Sequence, residues 1–154
     1  MKIRIEIDDS LKEEELVIHC RGINQEIQAI QKAVTDVLGR SQNFILYRQD
    51  KEYYVPLQQI LFFETSADGI RAHTATDVFQ TKHKLYELEQ LLPGCFMRVS
   101  KSAILNVDRI YSITRNFTSA CVVSFDGTPK EVYVSRNYYK ALKFKLEERY
   151  HYEK

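Results

Sequence analysis

The chain has 154 residues, about one domain's length, with 44% apolar residues including 10 Tyr and 8 Phe, enough to build a core. With 28% charged residues and only 5 Gly and 3 Pro, it is neither a disordered nor a low-complexity sequence. The formal net charge is +1 but unevenly spread: residues 1–39 carry −3, and residues 40–154 carry +4. A basic body behind an acidic head hints at an anionic partner.

No apolar run is longer than that at Ile60–Phe63, which is too short to span a bilayer. The N-terminus alternates charge with isoleucine and has no secretory hydrophobic core, so a cytoplasmic location is expected. Cys20, Cys95 and Cys121 are odd in number and far apart, which suggests neither a disulfide framework nor a zinc ribbon.

Taken in chain order, Ile3, Ile5 and Ile7 alternate on one face of an expected strand over Lys2–Ile7. Asp8-Asp9-Ser10 supplies turn chemistry, and Glu15–Cys20 reads as a second strand. Asn24 can cap a helix, Glu26 suits its positive end, and Ile27, Ile30, Val34, Val37 and Leu38 recur at helical spacing up to Gly39. Residues 1–42 thus read as a β-β-α head too small to bury its own core. It is expected to pack on residues 43–154 or on a partner chain.

The body reads as short strands. Phe44–Arg48 and Glu52–Val55 flank Gln49-Asp50-Lys51 as a hairpin, and Pro56 stops the second strand. Ile60–Glu64 is a further strand, Thr65–Gly69 a turn, and Ile70–His73 with Asp77–Thr81 another pair. Leu85, Leu88, Leu91 and Leu92 form a helical stripe closed by Pro93-Gly94. An irregular stretch follows, then strands over Arg109–Thr114, Ala120–Phe125 and Glu131–Val134, with Asp126-Gly127 as a hairpin turn. A helix from about Arg136 to Tyr150 should bury Tyr138, Leu142 and Leu146, leaving Lys140, Lys143 and Lys145 on other faces. The expected class is mainly β, α+β overall, with an antiparallel body.

Little here suggests catalysis. There is no phosphate-cradling glycine loop, no HExxH and no G-x-S-x-G elbow, so no enzyme, cofactor or metal site is expected. His19, His73, His83 and His151 lack metal spacing, and Asp108 and Glu131 read as isolated, solvated carboxylates. The segment that stands out is Phe96 to Asn106, which gathers Arg98, Ser100, Lys101 and Ser102 within five residues. Guanidinium, ammonium and hydroxyl donors presented together match phosphate oxygens and base-edge acceptors. The plainer reading is a polar surface loop anchored by Phe96, Val99, Ile104 and Leu105.

This segment resembles the signature of the LytTR DNA-binding domain family, which runs Phe-x-Arg-x-His/Ser-Arg/Lys-Ser, then an apolar pair and Asn. Phe96, Arg98, Ser100, Lys101, Ser102, Ile104-Leu105 and Asn106 stand in register with it. Ile60–Glu64 looks like the family's strand ending in Glu. The helix at Leu85–Pro93 and the segment Val134-Ser135-Arg136 also fit, so the likeness spans roughly residues 43–148.

The resemblance implies a roughly ten-stranded, mostly antiparallel fold that inserts loops into successive grooves of double-stranded DNA. It implies three contact regions: Ala67-Asp68-Gly69, Arg98 to Ser102, and Ser135-Arg136-Asn137. Lys101 and Arg136 would read bases or phosphates, Asn106 would brace the loop, and Phe96 would anchor it in the core. Ser100 replaces a frequent His and Ala103 a frequent aromatic; Asp68 is an awkward neighbour for phosphate unless it accepts from a cytosine amine. The family's usual receiver domain has no room in 42 residues, so the likeness is to short regulators of response-regulator type. It further implies tandem direct repeats in promoters, a homodimer, and a small inhibitory membrane protein as partner. An alternative is a protein-interaction module in which the β-β-α head docks a partner.

Overall fold

The structure, a computed structural model, describes residues 1–40, 42–116 and 121–150. Ala120 and His151, which figure in the expectations above, lie outside these residues. Among the described residues ten strands and three helices follow in the order α1 (Gln25–Arg40), β1 (Asn43–Arg48), β2 (Lys51–Pro56), β3 (Phe62–Ser66), β4 (Gly69–His73), β5 (Val78–Thr81), α2 (Leu85–Leu91), β6 (Phe96–Ser100), β7 (Ala103–Asn106), β8 (Ile110–Arg115), β9 (Cys121–Phe125), β10 (Glu131–Val134) and α3 (Arg136–Tyr150). Single 3-10 turns sit at Leu57–Gln59 and Val107–Arg109.

The strands form a seven-stranded sheet, ordered β2-β1-β5-β4-β3-β7-β6, and a three-stranded sheet, β10-β9-β8. The pairings within both sheets are antiparallel. Because successive side chains in a strand point to opposite faces, the central strands of the large sheet feed two cores. Phe63 and Ile104 pack with Leu46, Leu88 and Phe96 on the side covered by α2. Their neighbours Phe62 and Leu105 pack with Val99, Val123, Val134 and Leu142 on the side covered by the small sheet and α3. A lysine ties the two sheets together at one end: Lys130 Nζ donates to the carbonyls of Thr74 and Asp77 at 2.9 and 2.8 Å.

The sharpest turns sit where the backbone allows them. The β1–β2 turn is Gln49-Asp50, with Gln49 at φ +56°, and Gly127 at φ +74° serves the β9–β10 hairpin. The C-terminal helix has the expected bounds and is fastened along its length. Leu142 is fully buried, and Tyr138 and Leu146 are half-buried against the same core. Near the helix end Arg149 pairs with Asp108. Lys145, on another face of the helix as expected, is half-buried there and donates to the Gly94 carbonyl, and its burial lowers the ammonium's pKa.

Two expectations need correction. Phe96–Asn106, read from periodicity as irregular, is a β-hairpin whose register shifts between Arg98 and Ser100. That bulge breaks the alternation of β6, and all four residues of β7 are buried, so neither strand shows a period of two. In the head, the expected strands at Lys2–Ile7 and Glu15–Cys20 are absent, and residues 1–24 carry no strand. A strand needs a ladder partner for its backbone groups, and neither segment pairs with the other or with a sheet. Ile3, Ile5 and Ile7 are accordingly 92%, 85% and 90% exposed. The helix of the head does form. Asn24 Oδ1 accepts from the Ile27 amide at 2.9 Å, and Ile27, Ile30 and Val34 face inward. It runs to Arg40, one residue past the expected Gly39 stop.

His73 is a buried titratable side chain on β4. Its Nε2 lies 2.8 Å from Glu64 Oε1 and its ring stacks on Phe62, while Nδ1 is buried without a hydrogen-bond partner among the described residues. Burial pushes the imidazole below its ordinary pKa, aided by Lys130 and Arg71 and opposed by Glu64. A depressed histidine pKa makes the unfolded chain bind more protons at acid pH. Its contribution to stability is therefore present above about 6.5 and lost as pH falls toward the lower folded value. Denaturation midpoints between pH 7.5 and 5.5 should fall less steeply for His73→Gln than for the native chain; parallel curves would refute this coupling.

Candidate nucleic-acid interface

The hairpin β6–β7 projects a two-residue tip, Lys101-Ser102, between β3 on one side and the start of α3 on the other. Two main-chain hydrogen bonds fix those neighbours. The Thr65 amide donates to the Ser102 carbonyl at 2.8 Å, and the Ser135 amide donates to the Val99 carbonyl at 2.9 Å. Segments far apart in sequence are thereby locked side by side. Ser135 also ends the loop into α3, its carbonyl accepting from the Tyr138 and Tyr139 amides at 3.0 and 3.1 Å.

Between these elements lies an open cleft of about 460 Å3, floored by Ala103 and Val134 and rimmed by Ser100, Ser102, Ser135 and Arg136. Ala103, at the position where the family often has an aromatic, is buried and small, which leaves this space open. The second and third expected contact regions thus meet at one cleft through Ser100, Ser102, Ser135 and Arg136, with Arg98 and Lys101 outside its lining. The first, Ala67-Asp68-Gly69, forms the β3–β4 turn just beyond the Thr65 wall and does not line it. Asn137 is exposed on the first turn of α3, also outside the lining.

Arg98, expected to face DNA, turns back on its own loop. Its Nε donates to the Ser100 carbonyl at 2.8 Å, Nη2 to the Lys101 carbonyl at 2.6 Å, and Nη1 lies 3.3 Å from Glu89 of α2. The guanidinium thus supplies the donors that the tight tip needs, and it ties the tip to α2. Ser100 Oγ accepts from the Ser102 amide at 3.1 Å and lies 3.3 Å from Ser102 Oγ, so both hydroxyls help to shape the turn. Asn106 braces from below. It is 2% exposed, its Nδ2 donates to the Ile60 carbonyl at 3.1 Å, and its Oδ1 accepts from the Asp108 amide at 3.1 Å. Asp68 is held by Ser66 Oγ, Gln80 Nε2 and Arg71. The Ser66 hydroxyl, more than the Arg71 guanidinium, keeps its carboxyl below the usual range. Gly69 beside it adopts φ +125°, which suits glycine alone.

Lys101 and Arg136 are different. Both are exposed, and among the described residues neither side chain has a hydrogen-bond, ion-pair or ring partner; Lys101 is held only through its carbonyl, which accepts from Arg98. They are cations held out on a braced hairpin tip and on the first turn of a helix. Residue reasoning had not placed Glu64, Thr65, Glu131 and Tyr133 in the site, yet all four line the cleft. The available signal was the alternation of β10. Val132 and Val134 point into the core, so Glu131 and Tyr133 point out on the opposite face. Carboxylates sharing the cleft with Arg136 disfavour a uniform phosphate track and suit the amino groups of base edges.

The family model of the LytTr DNA-binding domain matches residues 50–147, close to two-thirds of the chain. The chain belongs to the LytTR DNA-binding domain family. A solved LytTr DNA-binding domain from Bacillus cereus, described as part of a methyl-accepting/DNA response regulator, superposes with a TM-score of 0.61 at 27% identity. That match covers 68% of this chain and 95% of the solved one. Among relatives, an uncharacterized HTH-type transcriptional regulator of Staphylococcus aureus strain NCTC 8325 is 29% identical over 146 residues, covering 95% of this chain and 98% of its own. Its counterpart in strain MRSA252 is 28% identical over the same length. These alignments take in most of residues 1–42, beyond the family match. Although the relatives' names include the term HTH-type, strands separate α1, α2 and α3 here, and the LytTR cleft is built from a hairpin tip and a helix start. No helix among the described residues is long and apolar enough to cross a membrane.

Proposed function

We propose that this LytTR chain is a sequence-specific double-stranded DNA-binding transcriptional regulator, reading successive grooves with the Lys101-Ser102 tip and the Ser135-Arg136-Asn137 helix start. The observation that carries this reading is the pair of unpartnered cations, Lys101 and Arg136, held on adjacent elements by the Val99–Ser135 main-chain hydrogen bond. Arg136 can fork onto a guanine edge or a phosphate, and Lys101 suits either acceptor as a point charge. The positive end of α3 adds to the attraction for phosphate. Glu64 and Glu131 favour base steps that present amino groups. Arg98, Ser100, Ser102 and Asn106 act by shaping the tip, and Asp68 and Gly69 by shaping the neighbouring turn, which would meet the flanking groove.

Residues 43–154 form the reader in this scheme, and residues 1–42 an extension whose helix packs on it. Two copies would occupy tandem direct repeats in promoters, with a small inhibitory membrane protein as a regulatory partner. Selection from a random duplex library at two salt concentrations tests the function. An enriched motif is expected, with affinity falling steeply as salt rises because bound cations displace phosphate counterions. Recovery of no motif at either salt would reject it.

A further inference from the structure

The N-terminal segment has chemistry that the DNA reader does not use. Residues 2–8 run Lys-Ile-Arg-Ile-Glu-Ile-Asp, with two cations first and two anions last. The segment makes no ladder in the structure, yet Arg4 Nε pairs with Glu6 Oε1 at 3.0 Å, two residues along. Its three isoleucines are about nine-tenths exposed. Such an alternating, unpaired segment is a ready template for strand pairing.

Its charge order selects the partner. Laid antiparallel against a second copy, with the two-fold axis through Ile5, the segment places Lys2 opposite Asp8 and Arg4 opposite Glu6. Ile3 then faces Ile7, and Ile5 faces Ile5. Residues directly opposite one another share a face. One face of the ribbon therefore carries four cross-strand ion pairs and the other six isoleucines. Shifting the register by two residues in either direction brings like charges together or leaves charges unpaired, so the order specifies both orientation and alignment. A two-stranded ribbon alone is marginal in water, and the same stretch of chain supplies further cover. Leu11, Leu16, Val17 and Ile23 are exposed as well, as are Val37 and Leu38 on α1.

We propose that Lys2–Asp8 is a homodimerisation strand, pairing antiparallel with the same segment of a second copy. The test is a charge swap in the full 154-residue chain. Lys2→Glu/Arg4→Glu makes the segment wholly acidic, and Glu6→Lys/Asp8→Lys makes it wholly basic. Molar mass is measured by light scattering at micromolar concentration and moderate salt, without DNA, so the outcome is independent of what the cleft reads. The native chain should run at about twice its 18.1 kDa mass, each variant alone at the single-chain mass, and an equimolar mixture of the two variants again at the dimer mass. All four side chains are exposed, so circular dichroism should show both variants folded. A monomeric native chain, a dimer that survives either reversal, or a mixture that stays monomeric would each overturn the proposal.

Discussion

Alanine at Lys101 or at Arg136 should each cost about 1–3 kcal/mol of specific DNA binding, roughly a 5- to 150-fold loss of affinity. The unfolding midpoint should stay unchanged, because both side chains are exposed and lack partners among the described residues. The two losses should differ in kind. If Lys101 meets phosphate, Lys101→Ala weakens all sequences alike and lowers the salt slope by about one. If Arg136 forks onto guanine, Arg136→Ala relaxes preference at one base position. Arg98→Ala is the informative contrast. It removes the donors that hold the Ser100 and Lys101 carbonyls, so it should lower both affinity and the hydrogen-exchange protection of the hairpin. Titrations against the selected duplex, with footprints for each variant, check all three. Full affinity in the Lys101/Arg136 double variant would remove these residues from the interface.

Leu142→Ala should destabilise the fold by about 2–5 kcal/mol, since the side chain is fully buried and little can collapse into the space it leaves. It sits at the centre of α3, against Val99, Val134 and the small sheet. Its loss would loosen the helix whose first turn carries Arg136. Urea denaturation measures the stability, and DNA titration at low temperature separates a loosened reader from an unfolded one. A loss below about 1 kcal/mol would mean that α3 is anchored elsewhere, at Arg149–Asp108 or at Lys145–Gly94.

What the residues disclosed depended on whether the governing interactions were local. Helix α3 and the β9–β10 hairpin have local signatures, a Leu142-centred stripe and an Asp-Gly turn, and both appear where expected. The two strands of the head also had a local signature, but alternation does not supply a neighbour to pair with, and the single chain offers none. The β6–β7 hairpin failed in the opposite way: its bulge and its wholly buried second strand hide a real ladder from pattern reading. The family motif marked that segment as a DNA-facing loop but did not disclose its ladder. At the site, the motif identified the segment but not the division of labour within it. Arg98 and Lys101 look equivalent as neighbouring cations, and only the fold shows one turned back on main-chain carbonyls and the other left outward. Glu64 and Glu131 come from strands of different sheets, so no spacing in the chain could have joined them.

The two hydrogen bonds that bind the tip to its neighbours, Thr65 to Ser102 and Ser135 to Val99, run from main chain to main chain. Such bonds are indifferent to the side chains they carry. The groups that face outward at residues 101 and 136 can therefore be exchanged without unfastening the frame. A chain built in this way can drift from one operator sequence to another through single substitutions, each variant inheriting an intact scaffold.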